Sequence, residues 1–141
     1  MWPQNFDQRL RAWYTLRESA HALPLESALE TINTWWFRCP WQPYYLHWDE
    51  NSTWPDPWQL LSDNVYCDIA RGLGILYTIS FIDREDMGDA ELILTKKGHN
   101  LVSVAQRKYI LNWEPATVVN NNHEAQIRQH LTQYQIKKQY N

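Results

Sequence analysis

Cys67 is the residue of this sequence best placed to do chemistry. Asn64 is a good helix cap, and a helix over about 65–73 puts Cys67 at its third position. Free backbone N–H groups and the helix dipole there stabilise a thiolate, the form in which sulfur attacks. His99 follows Gly98 at the expected start of a strand, and Asn112 lies near the end of the next one. Two antiparallel neighbours joined by a short turn can bring a histidine and an amide together. A base and a group that orients it are what a nucleophile requires. A plainer reading stands beside each. Free cysteine is among the most buried residue types, and Ile69, Ala70 and Leu73 share its helix. His99 would then be a turn residue bonded through its backbone, and Asn112 a strand-end cap.

The other constellations are thinner. His47, Asp49 and Glu50 lie together in HWDE, with Asp56 shortly after, but no spacing supplies a third metal ligand. Cys39 and His47 lack the second pair of a structural zinc site. Asp83, Glu85, Asp86 and Asp89 fall in DREDMGDAE, which lacks the calcium-loop spacing and reads as a solvated acidic turn. Gly72 and Gly74 are followed by no lysine, so they form no phosphate loop. No metal and no cofactor is expected.

Positioning these residues requires a mixed architecture. Phe6, Leu10, Trp13, Leu16 and Ala20 recur at helical spacing and predict an amphipathic helix over 6–22. Pro24 suits the first turn of a second helix, roughly 24–37, with Leu25, Ala28, Leu29, Ile32 and Trp36 along one stripe. Residues 38–58 match neither period and read as ordered but irregular. A short helical turn opens WQLLSDNVYC, and Gly72 and Gly74 are expected to end the Cys67 helix. ILYTISFI (75–82), rich in β-branched and aromatic residues, reads as a strand. Three more short strands are expected at 91–95, 99–105 and 108–113, in an antiparallel meander. A weakly apolar helix over 123–139, with Ile127, Leu131 and Tyr134 on one side, closes the chain. The expected fold class is α+β in one domain over 1–141: N-terminal helices, a central cysteine-bearing helix on a small antiparallel sheet, and a C-terminal helix.

Aromatic content is the outlier of the composition. Of nine Trp, six fall between positions 35 and 58. So many large side chains, each with an N–H to satisfy, cannot all sit deep in one small core. Trp41, Trp48, Trp54 and Trp58 are expected to form a connected aromatic layer bordering a groove or an interface, with Pro43, Pro55 and Pro57 fixing its path. The formal charge of -3 and the lack of a basic run argue against nucleic acid as a partner. No apolar run is long enough to span a membrane, and the first residues, MWPQNFDQRLRAW, do not read as a signal peptide. Two cysteines do not make a secreted disulfide scaffold.

The order of a helix-borne Cys67, a strand-borne His99 and a polar Asn112 resembles the transglutaminase-like branch of the papain-like cysteine hydrolases. CDIARGLGILYTI is similar to that family's nucleophile helix running into its first strand, and the likeness covers roughly residues 56–114. It implies Cys67 as nucleophile, His99 as base, Asn112 as the residue orienting the imidazole and Gln59 as a help in holding the oxyanion. The chain departs from the family at Val65 and Tyr66, where small residues are common, and at Asn112, where aspartate is more frequent. Density in tryptophan, with terminal helices around a small α+β centre, is also similar to small virion proteins of tailed bacteriophages. Two functions are therefore expected. One is a non-enzymatic virion component contacting other protein subunits. The other is a cysteine hydrolase, in a virion or the cytoplasm, cleaving an amide of a peptide substrate through an acyl-enzyme.

Overall fold

The computed structural model describes residues 2–43, 45–115, 117–120 and 127–138. The two N-terminal helices form as the apolar spacing predicts. Helix α1 (Phe6–Ala22) starts where the Asn5 side chain accepts the Gln8 N–H, and buries Trp13, Leu16 and Ala20. Its last carbonyls are held from a distance: Arg84 Nη1 donates to Ala20 O and Leu23 O. Helix α2 (Leu25–Trp36) begins after Pro24 and buries Ala28, Leu29, Ile32 and Trp36, together with one polar residue, Asn33.

The irregular segment carries two short 3₁₀ turns within Trp48–Thr53, broken by a kink at Glu50. Helix α3 (Pro57–Asp63) follows, with Asp56 as its cap and Pro57 in its first turn. Asn64 does not begin the next helix. It ends α3, with a left-handed φ of 56° that asparagine tolerates. Helix α4 (Asp68–Ile82) then runs through both Gly72 and Gly74, and Cys67 is its N-cap rather than its third residue.

The predicted strand 75–82 is thus the second half of α4. Every residue from Gly72 to Ser80 is buried, so this stretch of α4 is packed on all sides. A continuous apolar run of that length has no period to separate a strand from a buried helix. The glycines serve packing instead of termination. A Cβ on Gly74 would lie 2.5 Å from the Trp36 ring, and one on Gly72 would lie 2.7 Å from Leu92.

Strands β1 (Glu91–Thr95), β2 (Asn100–Val104) and β3 (Tyr109–Glu114) form the predicted antiparallel meander. Two further strands, β4 (Thr117–Asn120) and β5 (Ile127–Thr132), complete a five-stranded sheet in the order β4-β3-β2-β1-β5. Leu92, Val102 and Leu111 stand in register and belong to the main core with α4; Ile93, Leu101 and Ile110 cluster separately with Ile127.

The expected helix over 123–139 is corrected. Residues 121–126 lie outside the described residues, 127–132 pair with β1, and only Gln133–Lys137 is helical, as α5. Thr132 and Gln135 form a reciprocal capping box at its start. The free edge of β1 offered hydrogen bonds that a weakly apolar helix could not match.

Candidate functional site

A bulge in β3 builds the site. The register with β4 shifts between Ile110 and Glu114, and Asn112 sits inside the shift with φ 67°. A bulge of this kind re-aims a side chain, in this case toward the start of α4. Asn112 Nδ2 donates to Asp68 O at 2.9 Å and to Asn100 O at 2.8 Å. Its Oδ1 accepts from Arg71 Nε at 2.6 Å. Its backbone N–H donates to Asn33 Oδ1 at 2.9 Å, and Asn33 Nδ2 donates on to Glu114 O. One buried amide therefore ties α4, β2, β3 and α2 together.

Cys67 lies one residue before this knot and is 5% exposed. Its Sγ accepts the Ala70 N–H at 3.5 Å, which is the N-cap bond of α4. The sulfur thus faces free N–H groups at the positive end of a 15-residue helix, although from the N-cap and not from the third position that the sequence predicts.

His99 is in the β1–β2 turn, just before β2. Its backbone N–H donates to Thr95 Oγ1 and its carbonyl accepts from Thr95 N. Its ring is exposed and stands edge-on to Trp113, with 4.9 Å between centroids. Among the described residues, no hydrogen bond joins the His99 ring to Cys67 or to Asn112. His99 and Asn112 do share a pocket of about 240 Å³ with Asp68, Arg71, Asn100, Leu101 and Trp113; Cys67 does not line it.

Gln59 is committed elsewhere. Its side-chain amide donates to Asp63 Oδ1 at 2.6 Å, within α3.

The four tryptophans 41, 48, 54 and 58 do not make one layer. Trp48 and Trp54 are buried and paired edge to face at 5.2 Å. Trp41 is exposed and donates to Asp68 Oδ1, while Trp58 is exposed with its ring edge on Phe81. A larger connected aromatic cluster lies elsewhere: Trp2, Trp35, Trp36 and Tyr66, from three separate stretches of chain.

Arg71 is the residue that sequence reasoning passed over. It lies over the Phe37 ring at 3.9 Å, pairs with Asp68 at 3.2 Å and holds Asn112. Burial lowers its pKa, opposed by Cys39, Asp68 and Cys67. The signal was its position four residues after Cys67, one helical turn on and the same side of the helix as the cysteine. Among the described residues, no three His, Cys, Asp or Glu side chains gather as a metal would need, and no helix is long and apolar enough to cross a membrane.

Burial also pushes the Cys39 thiol from 9.0 up to about 12, against the pull of Arg71, and raises the Tyr66 phenol. Both groups are neutral in the fold at pH values where the unfolded chain ionises. Their contribution is full below the unfolded values and is lost as pH climbs from there toward the folded ones. Between pH 9 and 11 the unfolding free energy from urea titrations should fall, by about 1.4 kcal/mol per pH unit for each group fully ionised only when unfolded. Cys39→Ala should flatten the slope; a slope identical to that of the parent chain would show that the thiol is not held neutral.

No protein-family model matches the chain, and comparison with curated proteins and with solved structures returns no match.

Proposed function

We propose that the chain is a non-catalytic, protein-binding component of a larger assembly, a bacteriophage particle, on a transglutaminase-like frame. The observation that carries this reading is the use of Asn112. The oxygen that would orient an imidazole accepts from Arg71, and the amide nitrogen is spent on two backbone carbonyls. A side chain so occupied fastens α4 to the sheet. Among the described residues the exposed large hydrophobic side chains are aromatic: Tyr14, Trp41, Trp58, Trp113 and Tyr134. Such residues anchor protein interfaces, where they bring large contact area at little cost in side-chain freedom. The partners are other protein subunits, and a contact of this kind buries at least ~1,000 Å² in total.

Alkylation with iodoacetamide in the native state tests the reading, with peptide mapping by mass spectrometry. Cys67 is expected to stay unmodified until the chain is unfolded, and then to react fully. Rapid native labelling of Cys67 that slows when His99 is replaced by alanine would overturn it.

That outcome would favour the second reading, a cysteine hydrolase. Its support is the Cys67 sulfur at the N-terminus of α4, beside a pocket lined by His99 and Asn112. There the thiolate would attack an amide carbonyl, and His99 would protonate the departing amine. Water would then release the acid from the acyl-enzyme.

A further inference from the structure

Away from that site, α1 and α4 enclose a second pocket of about 310 Å³, lined by Tyr14, Arg17, Glu18, His21, Phe81 and Ile82. Arg17 dominates it. Its guanidinium carbon lies 4.2 Å from the centre of the Trp13 ring, 5.4 Å from Phe81 and 5.6 Å from Tyr14. Among the described residues no carboxylate forms a salt bridge with it, and its buried Nε meets no acceptor. Glu18, its neighbour in sequence, raises the pKa of the Tyr14 hydroxyl that lines the same pocket.

Aromatic faces attract a guanidinium, but they leave the donors in its plane unsatisfied. Burial lowers the pKa of Arg17, opposed by Tyr14 and Glu18. This is a partly desolvated cation, stacked and held in place, with donors to spare. An arginine fixed in this way suits a planar carboxylate, which it can engage through two parallel hydrogen bonds. Glu18 at the rim sets the charge limit, because a dianionic phosphate would be repelled more strongly than a single carboxylate. The flanking surface is apolar: Tyr14 is exposed, and Trp58 lies edge-on to Phe81 at 5.8 Å.

We propose that this pocket receives an acidic side chain of a partner protein, its carboxylate on Arg17 and an adjoining apolar residue on Tyr14 and Trp58. The proposal rests on the protein-binding reading and gives it a surface and a chemistry.

The test uses the ¹⁵N-labelled full chain, titrated with 4-phenylbutyrate, with 4-phenylbutyramide and with inorganic phosphate at matched ionic strength. Phenylbutyrate is expected to move the Arg17 Nε–H and the Trp13 and Trp58 indole resonances to saturation. The amide should bind roughly tenfold more weakly, the loss expected for a charge-assisted pair. Arg17→Gln should abolish the preference for the acid, and Arg17→Lys, which keeps the charge but not the fork, should fall between. Equal binding of acid and amide overturns the proposal, as does tighter binding of phosphate or a saturating shift mapped elsewhere. Any of these three failures with Cys67 still protected from iodoacetamide removes this surface and leaves the protein-binding reading standing. Rapid native alkylation of Cys67 that depends on His99 removes that reading whatever phenylbutyrate does.

Discussion

Replacing Trp36 with alanine is expected to lower the unfolding free energy by about 3–5 kcal/mol, as deletion of large buried aromatics does. That is a large part of the roughly 5–15 kcal/mol a domain possesses. Trp36 is 1% exposed, and its ring lies flush on Gly74, where even a methyl group would collide. Around it stand Trp35 at 4.9 Å, Tyr66 at 5.8 Å and Trp2 at 5.9 Å. Collapse into the vacated space is hindered because these neighbours are rigid rings, so most of the cavity would persist. The indole also has a polar anchor. Trp36 Nε1 and Trp13 Nε1 both donate to Thr78 Oγ1 at 2.9 Å, and that hydroxyl donates to Gly74 O at 2.7 Å.

A single hydroxyl thus satisfies two buried N–H groups. Thr78→Val, which keeps the shape and removes the acceptor, should itself cost about 2–4 kcal/mol, since each orphaned donor costs roughly 1–3 kcal/mol. Trp36→Phe should cost less than Trp36→Ala, because it retains most of the packing. Urea midpoints at unchanged m-value would measure all three. If Trp36→Ala shifts the midpoint no more than Trp113→Ala, a half-exposed control, then α2 does not pack on α4 through this ring.

The second large effect concerns Asn112→Asp. Asparagine and aspartate tolerate the left-handed region about equally, so the substitution leaves the bulge conformation alone and changes only the hydrogen bonding. A carboxylate cannot donate. It would face the carbonyls of Asp68 and Asn100 with a charge where two N–H bonds now run. Arg71 would still pair with it and offset part of the loss. The expected net cost is about 2–4 kcal/mol, from two hydrogen bonds lost and a charge set against two carbonyls in a buried site. The hydrolase reading makes the opposite forecast, because aspartate is the more frequent third member of the resembled family. A variant of parental stability whose Cys67 alkylates faster would therefore count against Asn112 as the fastener of α4. Loss of stability, with Cys67 no more reactive in the folded fraction, would agree with that role.

Much of the frame was readable without coordinates. The stripes Phe6, Leu10, Trp13, Leu16, Ala20 and Leu25, Ala28, Leu29, Ile32, Trp36 define α1 and α2, and Pro24 marks the second start, because capping and periodicity act within one or two turns. The meander of β1, β2 and β3 was equally local: short alternating runs with turn residues between them. Cys67 at a helix start, and His99 and Asn112 at one end of the sheet, also came from spacing alone. What spacing could not reach is the state of α4. The helix packs against α1, α2, α3 and the sheet, so its second half is buried on nearly every side and carries no periodic signature. Its β-branched composition then pointed to a strand, and the burial of Gly74 under Trp36 decided for a helix.

The tail shows the same limit from the other direction, since Ile127–Thr132 is a strand only because β1 offers an edge to pair with. At the site, the sequence named Asn112 but not its partners. Arg71, Asn33, Asp68 and Asn100 are between 12 and 79 residues away from it along the chain. Whether a side chain orients a histidine or fastens a helix depends on which donors reach it first. That is settled by packing between distant segments, on which a local pattern of residues carries no information.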